Sequence, residues 1–321
     1  MRFLIGYCSG YLEVLAEYNV KRLLIVYNPH SSQYEKVRRE VLDKVTRKGG
    51  YMVGKYEIEA TSIDDNISKL KKILREGDLV ITAGGDATGV IAANAILQAG
   101  VEATLAVLPY GNFNDLSRTL GVKRVDSVFD ALTRVEKYYP LAIYVNDKLV
   151  RYATSYVTIG MMAESVTIYD EPKARRKLKT NFGRKVGSYL MVAGWYFKNR
   201  HKKKFLPEFT INGQAALAGA SDYIAVNGKY MARVMRGEGT FLDPARFKSG
   251  VYKLTGFWRL SVLMARSMLV RVPGGETSGD EICFVKPSKV TVQAEGESLE
   301  FSDAKKIEIR KAEKYLKVIV L

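Results

Sequence analysis

The chain has 321 residues, of which 47% are hydrophobic and 26% charged, too long for one small core and too balanced for a disordered or fibrous protein, so two domains are expected. Fifty Lys and Arg stand against 34 Asp and Glu, a formal charge of +16, which points to an anionic partner: nucleic acid, acidic lipid headgroups or a phosphorylated ligand. The two cysteines, Cys8 and Cys283, match no metal spacing and give no disulfide framework, which fits a reducing compartment.

Residues 1–20 form an N-terminal extension. Its short apolar run is smaller than a signal core and no small-x-small cleavage pattern follows, so a cytoplasmic location is expected. Apolar runs at 22–27 (RLLIVY), 78–83 (DLVITA) and 103–108 (ATLAVL) read as strands. The segments between them, Ser32 to Lys48, Asp64 to Glu76 and Thr88 to Gln98, have the spacing of helices. That alternation predicts an α/β domain over residues 1–140, a parallel sheet with crossover helices. From residue 141 to 321 the pattern becomes β-rich. LAIYVNDKLVRYATSYVTIG reads as two strands around an Asn-Asp turn, Asn212-Gly213 marks a hairpin, and the stretch after Gly250 reads mostly as short strands with an apolar finish. This second domain is expected to be mostly β-sandwich, its last strands free to pack back toward the first.

The basic runs 173–185 (KARRKLKTNFGRK) and 198–204 (KNRHKKK) flank an apolar stretch. They suit either a solvated helical face or a docking patch on a membrane. No window reaches the roughly 18 uninterrupted apolar residues that a spanning helix needs, so membrane contact would be peripheral.

The sharpest chemical signal is Gly84-Gly85-Asp86-Ala87-Thr88, placed where a strand ends and a helix begins. Glycines there let the backbone approach a phosphate, and a helix N-terminus supplies N–H groups and a favourable dipole. Asp86 beside a phosphate calls for an intervening Mg²⁺, although an Asp N-cap explains it equally well. Asn28-Pro29 ends the first predicted strand, and Pro109 to Asp115 (PYGNFND) ends the third. Three loops would then converge at the C-terminal edge of one parallel sheet, where ligands bind in such folds.

These loops resemble the Asn-Pro, Gly-Gly-Asp-Gly-Thr and Pro-Leu-Gly-Thr-Gly-Asn-Asp elements of the diacylglycerol kinase catalytic domain, which sphingosine kinases and bacterial lipid kinases share. Downstream, Thr158 to Ala163 is similar to the family's Gly-x-Asp-Ala element. Ala225 to Tyr230 is similar to its Asn-Gly strand end, and Glu295-Gly296-Glu297 to its Asp-Gly-Glu. The resemblance implies a soluble kinase that takes ATP and its Mg²⁺ on the α/β domain, with the lipid entering a cleft beside the β-sandwich, at an anionic membrane surface and with no nucleic acid. It places Thr61, Gly84, Gly85, Asp86, Ala87, Thr88, Gly89, Val90, Gly111 and Asn112 at the nucleotide, with Asn28 shaping the first loop. Asp86 would hold the metal, Glu295 would be the general base, and Glu297 would support it.

The chain also departs from the family. Ala87 replaces a glycine, which requires a negative φ there. Glu295 replaces Asp, Asn112 stands at the position of a threonine, and Phe113 at that of a small residue. Phe247-Lys248-Ser249-Gly250 stands where bacterial members carry an acidic turn for an accessory structural Mg²⁺, so that site is expected to be absent. Two further readings stand beside the lipid kinase: a soluble kinase resembling NAD kinases, and a catalytically silent nucleotide- or lipid-binding protein. His30 and His201 have no partner pattern and receive no role.

Overall fold

The computed structural model describes residues 20–47, 52–129, 134–165, 194–195, 197–199, 206–232, 235–254 and 257–321. They divide into two compact units, Met1–Pro140 with Ala312–Leu321, and Leu141–Lys311.

In the first unit, strands β1 (Arg22–Tyr27), β2 (Met52–Glu57), β3 (Asp78–Gly84), β4 (Thr104–Pro109) and β5 (Arg134–Tyr138) alternate with helical segments. These are α1 (Tyr34–Val37), a π-turn (Arg38–Leu42), α2 (Asp43–Arg47), α3 (Ile63–Ile73), α4 (Asp86–Ala99), α5 (Asp115–Leu120) and α6 (Val125–Val128). The second unit holds β6 (Leu141–Val145), β7 (Lys148–Ala153), β8 (Tyr156–Gly160), helix α7 (Met161–Ser165), β9 (Phe209–Ile211), β10 (Gln214–Ala215) and β11 (Asp222–Val226). It continues with β12 (Tyr230–Met231), β13 (Met235–Arg236), β14 (Phe247–Tyr252), helix α8 (Phe257–Leu269), β15 (Gly275–Thr277), β16 (Gly279–Ala294) and β17 (Glu297–Lys311). Strand β18 (Leu316–Val320) returns to the first unit.

The first sheet runs β2-β1-β3-β4-β18-β5. Its first four strands are parallel; β18 is parallel to β4 and antiparallel to β5. β3 is buried along its whole length and β1 along nearly all of its own, as a parallel sheet covered on both faces requires. Helix α4 is the reason for much of that cover, since residues 88–97 are all buried. At the N-terminal edge, Arg22 makes a two-pronged ion pair with buried Asp78, Nε to Oδ1 at 2.8 Å and Nη2 to Oδ2 at 2.6 Å, pinning β1 to β3. Residues 312–321, placed by sequence with the second domain and free to pack back, form β18 within this first sheet.

The second unit is the expected antiparallel β structure. Its large sheet runs β15-β14-β11-β8-β16-β17-β6-β7, with β9 also pairing to β16 and β10 to β9. Asn146-Asp147 and Asn212-Gly213 all take positive φ, as two-residue hairpin turns demand. The stretch after Gly250 differs from the short strands expected there. β16 and β17 are 16 and 15 residues long, and α8 is a 13-residue helix. Register shifts between Cys283 and Val290 interrupt the long hairpin. Across them Ile282, Phe284, Val290 and Val292, all of one phase along β16, face the same core.

Candidate functional site

In the first unit, the parallel register brings Tyr27 opposite Glu57 and Ala83, and Gly84 opposite Pro109. The loops carrying Asn28, Thr61, Gly84 to Asp86, and Gly111 with Asn112 therefore all leave the same edge of the sheet. Asn28 folds its own loop, its Oδ1 accepting the His30 N–H at 2.9 Å. Thr61 Oγ1 accepts from Nδ2 of Asn66 at 3.2 Å. Asn66, almost wholly buried on α3, also accepts the Glu59 N–H at 2.9 Å and donates to Ser62 O at 3.0 Å. It is the residue that shapes the second loop. Sequence reasoning passed over it, though an Asn between apolar helix positions was the signal available.

The third and fourth loops touch backbone to backbone. A Cβ on Gly111 would lie 2.1 Å from Gly85 Cα, and one on Gly84 would lie 2.2 Å from Thr88 Oγ1; both glycines are required by close approach rather than by φ. Gly85 is the N-cap of α4 and no side chain caps that helix. Its first turn thus ends in backbone N–H groups and the positive end of the dipole, the arrangement that accepts a phosphate. Ala87 lies in that first turn, outside the left-handed residues, so its methyl group is accommodated without strain. Thr88 and Gly89 are buried, and Val90 packs in the core; what these three offer at the edge is main chain, not side chain.

Asp86 faces the neighbouring loop. Its Oδ2 accepts the Asn114 N–H at 2.8 Å and its Oδ1 the Asp115 N–H at 2.7 Å. It thereby caps the N-terminus of α5 from a different element, where α5 has no side-chain cap of its own. Burial pushes its pKa up while these backbone N–H groups pull against that rise. The carboxylate that the resemblance assigns to the metal is thus engaged as a brace between two loops. Asn114 completes the fourth loop in left-handed conformation, its Oδ1 accepting Gly111 N–H at 2.7 Å and its Nδ2 donating to Gly111 O at 2.8 Å.

In the second unit a cluster of charged side chains gathers around Glu295. Glu295 and Gly296 form the two-residue turn between β16 and β17, with φ of 54° and 88°, the pattern of a type I′ hairpin. The Glu295 carboxylate accepts from the Thr154 hydroxyl and from the Ser155 N–H. Glu297, two residues on, pairs with Nη1 of the wholly buried Arg151 at 2.5 Å. Thr154 and Ser155 link β7 to β8, and Asn227 holds them in turn. Its Nδ2 donates to Thr154 O at 2.9 Å and its N–H to Ser155 O at 2.8 Å. Lys311 Nζ donates to Asn227 Oδ1 at 2.5 Å and to Thr240 O at 2.8 Å. Burial lowers the Lys311 pKa to about 7, with Asp243 opposing. Sequence reasoning found Glu295 and Glu297 but missed Arg151 and Lys311. The signal for Lys311 lay in its phase, since Ile307, Ile309 and Lys311 alternate on the buried side of β17.

The segment Phe247 to Gly250 lies within β14, and Lys248 reaches Glu238 at 2.9 Å and Glu276 at 3.8 Å. Of the basic runs, 173–185 and all of 198–204 except Lys198 and Asn199 lie outside the described residues, as do residues 1–19. No helix among the described residues is long and apolar enough to cross a membrane.

Residues 22–141 match the family model for the diacylglycerol kinase catalytic domain. A diacylglycerol kinase of Bacillus subtilis (strain 168) is 31% identical over 166 residues, 51% of this chain and 52% of that protein. One of Staphylococcus aureus (strain bovine RF122 / ET3-1) is 26% identical over 175 residues, 54% of this chain and 53% of that protein. The chain thus spans about half the length of these curated relatives. A crystal structure of a diacylglycerol kinase from Bacillus anthracis str. Sterne superposes with a TM-score of 0.66 at 18% identity, covering 94% of this chain and 97% of that one, which extends the likeness of fold to both units.

Proposed function

We propose that this chain, whose residues 22–141 match the diacylglycerol kinase catalytic domain, transfers the γ-phosphoryl group of ATP to the hydroxyl of a lipid, diacylglycerol or a close relative. The observation that carries the nucleotide half is the contact of Gly85 with Gly111 beside the uncapped N-terminus of α4. Two loops that meet at glycines, beside a helix end that no side chain caps, suit a chain of phosphates. With Asp86 engaged in bracing, Mg²⁺ is best assigned to the triphosphate itself, where it neutralises charge as the phosphoryl group moves.

In the second unit, Glu295 accepts the proton of the lipid hydroxyl. Donation from Thr154 and Ser155 fixes one oxygen of its carboxylate, and the pairing of Glu297 with Arg151 keeps the second carboxylate of the turn in place. A carboxylate held in this way loses little freedom when it orients a nucleophile, which is where most of the rate gain in such transfers arises. The protein works on a lipid at an anionic membrane surface, bound peripherally.

Incubation of the full chain with γ-labelled ATP, Mg²⁺ and a mixed lipid extract, with NAD in a parallel reaction, tests the reading. Label in the lipid phase, abolished by Glu295→Gln, is the expected result. Label on NAD would replace the proposal with the NAD-kinase-like reading, and ATP binding without transfer to either acceptor would replace it with the silent one.

A further inference from the structure

Helix α8 is apolar on two opposite sides. Leu263 enters a core cluster with Met231, Met235 and Leu254, Leu260 packs against that cluster, and Ser267 on the same side is wholly buried. The other side of a surface helix is ordinarily polar. Here Trp258, Val262, Ala265 and Leu269, at spacings of four, three and four residues, form an outward stripe instead. Trp258 and Leu269 are each 78% exposed, and Val262 and the following Val270 63%. Arg259 and Arg266 occupy the adjoining row of the helix and, with Lys253, line the groove between α8 and β14. No Asp or Glu occurs anywhere in α8.

We propose that the outward side of α8 is a docking surface for an anionic lipid bilayer, with Trp258, Val262 and Leu269 entering the boundary between headgroups and acyl chains while Arg259 and Arg266 meet lipid phosphates. An amphipathic tryptophan at one end of an apolar stripe with cations along its edge is the chemistry that interfacial helices use. Charge complementarity selects this occupant over a second copy of the chain. Two α8 helices packed stripe to stripe would gather four arginines and contribute no carboxylate. The proposal extends the lipid-kinase reading and does not depend on it, because docking requires neither ATP nor transfer.

Sedimentation of the full chain with vesicles of phosphatidylcholine containing about a third phosphatidylglycerol, without nucleotide, tests it. The parent chain should bind these vesicles. Trp258→Ser combined with Leu269→Ser should reduce partitioning by about tenfold or more. Arg259→Gln combined with Arg266→Gln should reduce it by about fivefold per arginine on anionic vesicles, with no loss on pure phosphatidylcholine. All four side chains are exposed, so unfolding temperatures should match the parent, and a matched temperature makes the vesicle result a statement about docking. Failure of the parent to bind, or binding by the Ser variant equal to the parent, would overturn the proposal. So would self-association of the lipid-free parent that the Ser variant abolishes, which would make the stripe an interface between copies.

Discussion

The candidate site residues of the first unit and those of the second are set in different materials. At the edge of the first sheet the working surface is main chain: Gly84, Gly85 and Gly111 clear the space, the end of α4 supplies N–H groups, and side chains such as Asp86, Asn66 and Asn114 serve to hold loops. Around Glu295 the working surface is side chain, with Glu295, Thr154, Asn227 and Lys311 linked one to the next and Arg151 paired with Glu297. A main-chain site tolerates changes in neighbouring side chains, as Ala87 illustrates, but no added Cβ at its contact point. A side-chain site should show the reverse, with large chemical effects from changes that leave the fold untouched.

The largest effect expected from this contrast is at Glu295. In Glu295→Gln the amide oxygen can still accept from Thr154 and Ser155 but cannot take a proton, so transfer should fall about 10²- to 10⁴-fold while the unfolding temperature stays within error of the parent. A fall in both together would make the turn structural and remove the base. Next comes Gly111→Ala. Its methyl group would meet Gly85 backbone at 2.1 Å, so the loops must part; stability should drop by about 1–3 kcal/mol, and ATP affinity, read by calorimetry, should fall with it. Unchanged ATP binding would dissolve the main-chain site.

Smaller in effect is Asp86→Asn, which turns an N–H donor toward one of two N–H donors. Loss of a cap and exposure of an unsatisfied group predict a loss of about 1–2 kcal/mol in urea unfolding. A variant as stable as the parent, yet inactive, would restore Asp86 to the metal. The last effect is small over any single pH unit. The Lys311 pKa falls from its ordinary 10.5 to about 7 in the folded chain, so between those values the unfolded chain holds a proton that the folded one lacks. Stability should therefore rise as pH increases from about 7 toward 10.5, by at most about 1.4 kcal/mol per unit. Lys311→Met should flatten that rise; an equal slope in both proteins would place the effect elsewhere.

The contrast also explains what the sequence made legible. The ends of β1, β3 and β4 were readable because apolar runs stop at Asn-Pro, Gly-Gly-Asp and Pro-Tyr-Gly, and those stops are themselves the main-chain site. β2 was not, because it is an edge strand with Gly54 at its centre and no fully buried residue, leaving no apolar run. In the second unit Glu295 stood out through the likeness of Glu295-Gly296-Glu297 to the family's Asp-Gly-Glu, whereas Arg151 and Lys311 lie about 144 and 16 residues away along the chain and meet the same network only through strand pairing. Helix α8 escaped notice because apolar residues on both its sides erase the period that marks a surface helix.

One feature of the first sheet bears on how the protein comes to be made. β18 sits between β4 and β5, and Ala312 N–H donates to Pro140 O at 2.9 Å, so the chain leaves the first unit and re-enters it at neighbouring points. During synthesis, β1 to β4 emerge long before the strand that must pair with β4. Until residue 320 clears the ribosome, β4 presents an open apolar edge of the kind that invites wrong pairing. The intervening 171 residues, Leu141–Lys311, can meanwhile fold as a closed insert whose ends already meet through β6 and β17. The first unit is then begun before the insert is translated and finished only after it.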